Sequence, residues 1–146
     1  MSRAFDQGKN AYGQEHRAYA GQNARHILGN DFLEHYGANP NNYGAYCHDN
    51  YRMGDTAVNG RDTRLDNAII GEVFSDAGHR QGYDAQRLAN GGISRQQQLD
   101  RVGARFDMAK QAYQATGEHK YLMMQKDLRM IADQHLDADL RGFRLS

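Results

Sequence analysis

One histidine and two aspartates have the residue types and the spacing that could support hydrolytic chemistry. His48 and Asp49 are adjacent, and Asp66 follows seventeen positions after Asp49. A histidine titrates near neutral pH, so it can act as a general base. Carboxylate oxygens are the hard ligands that calcium prefers. These three side chains are therefore candidates for a site, provided that the fold brings them together.

The segments around these residues resemble the active-site helices of the phospholipase A2 family. The resemblance implies that His48 activates a water molecule, Asp49 binds calcium and Asp66 holds the imidazole. The calcium ion would stabilise the oxyanion formed when an ester is attacked. A calcium-dependent lipid esterase is therefore one hypothesis for the function. The motifs are Ala45-Tyr46-Cys47-His48-Asp49-Asn50-Tyr51 and Arg64-Leu65-Asp66-Asn67.

The alternative is that His48 and Asp49 lie on a solvated helix face. The family has a tyrosine three residues after the aspartate, whereas Tyr51 follows Asp49 by two. The disulfides of the family cannot form here, because Cys47 is the only cysteine. Motifs of this length also occur by chance. We therefore place the esterase second to a non-enzymatic function.

Other candidate metal ligands are scattered along the chain. Seven histidines are present, but no two have His-x3-His spacing, and Cys47 has no thiolate partner for a zinc site. Two i,i+4 pairs occur near the end, His135 with Asp139 and Asp133 with Asp137. Such pairs are common on helix surfaces. We expect no metal or other cofactor, and a packed thiol at Cys47.

The charge balance argues against a polyanionic partner. Eighteen Lys and Arg residues balance eighteen Asp and Glu residues, so no net field attracts nucleic acid or an anionic membrane. In the last third, Arg alternates with Asp, which predicts ion pairs on helix surfaces or between chains. No apolar run approaches the roughly 20 residues of a membrane span, and no signal peptide is recognisable. We expect a protein of the bacterial host cytoplasm or of an assembled virion.

Composition predicts an all-α fold. Val, Ile and Thr total eleven residues, whereas Ala, Leu, Met, Gln and Arg total sixty. The first group favours sheets and the second favours helices. We expect several short helices over residues 1–92 and a long helical hairpin over residues 93–146, together in one compact domain.

The last third predicts two long antiparallel helices. Ser94 and Gln97 fit a capping box that starts the first helix at Arg95, and Gly117 fits the left-handed cap that ends it near Thr116. The second helix is expected from about residue 118 to about residue 140. Apolar residues recur every three or four positions in both helices. They are Leu99, Val102, Phe106, Ala109 and Tyr113, then Tyr121, Met124, Leu128 and Ile131, continued by Leu136, Leu140 and Phe143.

Shorter helices are expected before this hairpin, because Gly and Asn recur where helices can end. The first is a weak helix around residues 4–19. The others are a helix capped by Asn30 and closed by Gly37, one over residues 42–53, one capped by Asp62 that runs to Gly78, and one from Asp84 to Asn90.

Two columns of side chains in the first of these helices predict contact with another helix. Small residues let a second helix approach closely, and aromatic rings then close over it. The alanines are Ala4, Ala11 and Ala18, and the aromatic residues are Phe5, Tyr12 and Tyr19. We expect the three rings to bind a protein partner, a second copy of the chain or the hairpin. The leading hypothesis is a non-enzymatic helical assembly protein, such as a small structural component of a phage particle or a bacterial complex.

Overall fold

Helices make up most of the described part of the chain, as the composition predicts. The computed structural model describes residues 22–38, 51–74 and 81–146. The elements are β1 (Gln22–His26), α1 (Asn30–His35), β2 (Tyr51–Asp55), α2 (Thr56–Val73), α3 (Ala85–Asn90), α4 (Arg95–Thr116), α5 (His119–Leu136) and a 3-10 turn (Leu140–Gly142). The chain forms two compact units, Met1–Gly60 and Arg61–Ser146.

The first unit contains a two-stranded sheet in addition to a short helix. β1 and β2 pair antiparallel, with Gln22 opposite Asp55 and His26 opposite Tyr51. The predicted helix over residues 42–53 is therefore wrong at residues 51–53, which belong to β2. The four-residue spacing of Tyr43, Cys47 and Tyr51 is only a local signal of a helix. In residues 51–53 the backbone N–H and C=O groups are satisfied by pairing with β1 instead of by helical hydrogen bonds. Residues 42–50 lie outside the described ranges.

α1 is the short helix predicted between Asn30 and Gly37. Gly37 has a φ of +72°, the left-handed conformation that closes a helix. The N-cap is Gly29 rather than Asn30, and it makes no side-chain capping bond. Phe32 and Leu33 are fully buried. The helix is thus closed at the predicted glycine, and its N-cap lies one residue before the predicted one.

α4 and α5 pack against each other, consistent with the predicted hairpin. Both bonds of the Ser94–Gln97 capping box are present, and Gly117 ends α4 with a φ of +67°. So short a connection makes the two helices antiparallel. α5 ends at Leu136, earlier than predicted, because Asp137 adopts a left-handed φ of +50°. The buried seam includes Val102, Phe106, Ala109, Tyr121, Met124, Leu128 and Ile131, while Leu99 and Tyr113 are only half-buried.

Most of α2 and all of α3 belong to the second unit, and α2 differs from its prediction at both ends. α2 begins at Thr56, so Asp62 lies inside the helix and does not cap it. Asp62 is instead buried and paired with arginines of α4. α3 matches its prediction, since the Asp84 side chain accepts hydrogen bonds from the backbone N–H groups of Gln86 and Arg87. α2 ends at Val73 rather than near Gly78.

Candidate functional site

An ion cluster between α2 and α4 contains the one described member of the predicted hydrolytic site. Arg105 is 3% exposed, and its Nε donates to Asp66 Oδ1 at 2.8 Å. Its Nη2 lies 3.7 Å from Asp62 Oδ1, and Arg101 Nε lies 3.2 Å from the same oxygen. Burial and the adjacent Arg105 charge lower the pKa of Arg101. Two cations therefore meet two carboxylates, and the cluster joins the two helices.

This arrangement gives Asp66 a structural role in the second unit. Its carboxylate accepts the hydrogen bond from the buried Arg105 guanidinium. His48 and Asp49 lie outside the described residues, so the role of Asp66 in holding an imidazole stays a prediction. The three predicted partner-binding rings, Phe5, Tyr12 and Tyr19, also lie outside them.

A second network of buried polar groups surrounds Gln98, which the sequence pattern did not single out. Tyr83 donates its hydroxyl proton to Gln98 Oε1 at 2.7 Å. Gln98 Nε2 in turn donates to the carbonyls of Ala85 at 3.0 Å and Ile93 at 2.8 Å. Burial raises the pKa of Tyr83 well above its usual range, so the phenol keeps its proton. The network fixes the start and the end of α3 against α4.

Glu72 connects α2 to two other parts of the second unit. Its Oε1 accepts a hydrogen bond from the backbone N–H of Tyr83 at 2.9 Å, and its Oε2 lies 3.5 Å from His135 Nε2. Asp139, which has i,i+4 spacing to His135 in the sequence, binds Arg141. Within residues 22–38, 51–74 and 81–146, no three His, Cys, Asp or Glu side chains are grouped to hold a metal.

Residues 137–146, here called the return segment, fold back along the helical hairpin. The buried Phe143 ring anchors this segment to the seam. The anchors are an edge-on contact between the Phe143 and Phe106 rings at 5.1 Å, a hydrogen bond from Lys110 Nζ to the Arg144 carbonyl at 2.8 Å, and one from the Ser146 N–H to Gln125 Oε1 at 3.0 Å. The return segment is therefore fixed at several points along its length.

An arginine-rich groove opens between α5 and the return segment. The arginine groove is defined by Arg129, Leu140, Arg141, Arg144 and Leu145, and its volume is about 480 Å³. An adjoining cavity of about 340 Å³ shares Arg129, Leu140 and Leu145 with it. Both volumes lie in the range of sites that bind small ligands or short segments. The lining of the groove combines two leucines with three arginines.

The adjoining cavity is lined by one face of α5. Its residues on that helix are Lys126, Arg129, Met130 and Asp133. They recur at intervals of three and four, which places them side by side on one helix surface. Asp133 is the one acidic side chain in this lining.

The arginines of the groove differ in their partners. Arg141 binds Asp139 through both carboxylate oxygens, with Nη2 at 2.7 Å from Oδ2, and this hydrogen bond lowers the pKa of Asp139. No hydrogen bond or ion pair from residues 22–38, 51–74 or 81–146 engages the guanidinium group of Arg129 or Arg144. These two cations are therefore available to a ligand within the described structure.

A further cavity, of about 380 Å³, lies between α2 and α3 and also has two arginines in its lining. Here both guanidinium groups are used within the chain. Arg64 Nη1 donates to the Gly91 carbonyl at 2.8 Å, and Arg87 Nη2 donates to the Gly82 carbonyl at 3.1 Å. Arg87 Nη1 also donates to the Gln81 side chain. These arginines hold the segments around α3, so this cavity is the weaker candidate site.

No known protein family, curated protein or solved structure matches this chain. In the part of the chain that the structure describes, no helix has the length and apolar character needed to cross a membrane. The geometry of the arginine groove is therefore the main basis for a functional inference.

Proposed function

We propose that the chain is a non-enzymatic interaction protein that works in a larger assembly, such as a phage particle or a bacterial complex. The observation that carries this proposal is the arginine groove, where the guanidinium groups of Arg129 and Arg144 have no hydrogen-bond or ion-pair partner among the described residues. Arginine beside apolar surface is a composition favoured at protein interfaces. Carboxylates of a partner would give these cations charge-assisted hydrogen bonds that the described chain does not supply.

The anchoring of the return segment supports this role. The contacts of Phe143, Arg144 and Ser146 hold one wall of the groove, and α5 of the antiparallel hairpin forms the other. A site that is rigid before binding loses less conformational entropy when a partner binds. In this proposal the hairpin positions the groove, and the groove is the surface that binds the partner.

The N-terminal rings form a second contact in the same proposal. Phe5, Tyr12 and Tyr19 would pack on a protein partner or on a second copy of the chain, as their seven-residue spacing predicts. The assembly would then hold this chain at both the groove and the N-terminal region. Its expected location is the bacterial host cytoplasm or the assembled virion.

The mass of the native complex tests this function. Native mass spectrometry of the full chain, purified under mild conditions from the cells that produce it, should give a mass well above the 16.5 kDa of one chain. The double variant Arg129→Gln/Arg144→Gln should release the 16.5 kDa monomer. The matched control Arg95→Gln removes an exposed arginine that makes one hydrogen bond to the His135 carbonyl, and it should preserve the complex.

Two results would contradict the proposal. The first is a wild-type chain that runs as a monomer under all of these conditions. The second is a calcium-dependent ester hydrolysis that is lost in His48→Ala, because that result would support the esterase instead.

A further inference from the structure

We infer that the arginine groove binds a short acidic protein segment that carries one apolar side chain between its carboxylates. This inference rests on the proposed function and specifies the chemistry of the partner. The charges of its arginines, the apolar character of its two leucines and the acidic residues nearby support it.

One arginine of the groove already pairs with a carboxylate of this chain. Arg141 Nε lies 3.1 Å from Oδ1 and 3.0 Å from Oδ2 of Asp139, and its Nη2 lies 2.7 Å from Oδ2. This is the planar fork by which arginine holds a carboxylate. Arg129 and Arg144 present the same group without a carboxylate partner in the described chain. Carboxylates from outside can therefore occupy them in the same way.

The two leucines of the groove favour an apolar side chain. Leu140 and Leu145 are half-buried and line the groove together with the arginines. Covering them with an aliphatic side chain removes more of their apolar surface from water, which favours binding. A segment with carboxylates on both sides of one aliphatic residue therefore matches the groove in charge and in polarity.

A nucleic acid fits this surface less well than an acidic protein segment. Asp133 lines the adjoining cavity and Asp139 lies at the edge, so a continuous phosphate backbone would meet negative charge. Single-stranded nucleic acids also rely on aromatic platforms for their bases, and the side chains that line the arginine groove include none. A short segment can place its carboxylates beside the arginines and avoid Asp133.

A binding assay with defined peptides tests this inference on the full chain. The probe is a fluorescein-labelled peptide, Glu-Glu-Leu-Glu-Glu, followed by fluorescence anisotropy at low salt. We expect saturable binding that weakens by about tenfold in Arg129→Gln and in Arg144→Gln, the effect of one charge-assisted hydrogen bond. Arg144→Lys keeps the charge but loses the fork, so its affinity should lie between those of wild type and Arg144→Gln.

Three controls make the assay specific. Arg95→Gln should bind the peptide as wild type does, because Arg95 lies outside the lining of the groove. Asp133→Asn should bind more tightly, since it removes a repelling carboxylate from the adjoining cavity. The neutral peptide Gln-Gln-Leu-Gln-Gln should not bind. Unchanged thermal unfolding of each variant confirms that the fold is retained.

The inference is overturned if all of the arginine variants bind the acidic peptide with wild-type affinity. It is also overturned if an oligothymidylate of equal charge binds more tightly and competes with the peptide, because the groove would then be a nucleic-acid site. A native complex that depends on Arg129 and Arg144, together with no peptide binding, would reject the acidic segment and retain the proposed function. Peptide binding by a chain that is always monomeric in its cells would retain the acidic segment as the ligand and reject the proposed function.

Discussion

The second unit uses arginine in two different ways. Arg105 is buried between Asp62 and Asp66 and joins α2 to α4. Arg129 and Arg144 border the arginine groove, and no described residue pairs with their guanidinium groups. The difference shows that the position of the carboxylates decides the role of each arginine. Cations paired within the chain build the fold, whereas cations left unpaired at a groove are suited to a partner.

The spacing of the charges explains how the buried cluster forms. Asp62 and Asp66 lie four residues apart on α2, and Arg101 and Arg105 lie four residues apart on α4. Residues with this spacing share one helix face, so two faces of opposite charge meet where the helices pack. A buried guanidinium requires such partners, because an unpaired charge in the interior is very costly. The arginines of the groove avoid this cost by remaining accessible to water.

The largest expected effect is the loss of the buried cation. Arg105→Met leaves Asp62 and Asp66 without their shared partner and should lower the free energy of unfolding by about 3–5 kcal/mol. Arg129→Met removes a cation without an internal partner, so it should change stability by no more than about 0.5 kcal/mol. Urea denaturation of both variants measures the difference. Equal losses would show that the two sets of arginines do not differ in role.

A comparable effect is expected in the seam that supports the groove. Phe106 is buried and its ring meets Phe143 of the return segment, so Phe106→Ala should cost about 3–5 kcal/mol of stability. Met123→Ala is a suitable control on the same hairpin, because Met123 is 39% exposed. If Phe106→Ala lowers the free energy of unfolding by less than about 1 kcal/mol, the helix face that carries Phe106 is not the buried seam.

A smaller effect is expected at the N-terminal rings, which lie outside the described residues. If Tyr12 packs on a partner, Tyr12→Ala should weaken assembly by about 2 kcal/mol and leave the hairpin folded. If it packs on the hairpin, the variant should lower monomer stability instead. Sedimentation equilibrium and urea denaturation distinguish these cases. No change in either measurement would remove this segment from the interaction surface.

The smallest expected effect concerns the buried Tyr83. Tyr83→Phe removes the hydrogen bond to Gln98 and should cost about 1 kcal/mol near neutral pH. Above about pH 10 the unfolded phenol ionises while the folded one keeps its proton, so wild-type stability falls as pH rises. Tyr83→Phe should lose stability less steeply in that range. Parallel curves of unfolding free energy against pH would contradict the raised pKa of Tyr83.

The sequence predicts best those features, such as helix caps, that depend on residues close together in the chain. The Ser94–Gln97 box and the cap at Gly117 are in place because their bonds close within one helical turn. From its neighbours in the sequence Asp62 resembles a helix cap, whereas its actual partners, Arg101 and Arg105, lie about forty positions away in the chain. The strand over residues 51–55 likewise depends on distant residues, since it pairs with residues 22–26.

The candidate site was less predictable than the fold. Alternation of Arg and Asp in the last third predicts ion pairs on helix surfaces or between chains, and the exposed pair of Arg141 with Asp139 is of this kind. Arg101 and Arg105 instead pair with Asp62 and Asp66 of α2, which the alternation does not predict. The same pattern does not reveal that the guanidinium groups of Arg129 and Arg144 remain without a described partner, because this depends on the turn at Asp137. That turn directs the return segment beside α5 and creates the groove. A positive φ at an aspartate is uncommon, so composition gave little indication of it.

The most direct test of the account follows the arginine side chains themselves during binding. Nitrogen-15 NMR of the arginine Nε–H groups reports each guanidinium separately while the peptide Glu-Glu-Leu-Glu-Glu is added to the full chain. We predict that the signals of Arg129 and Arg144 shift progressively to saturation, while that of Arg105 stays in place because its carboxylate partners are internal. Unmoved signals for Arg129 and Arg144, or a shift at Arg105 alone, would contradict the division between structural and binding arginines.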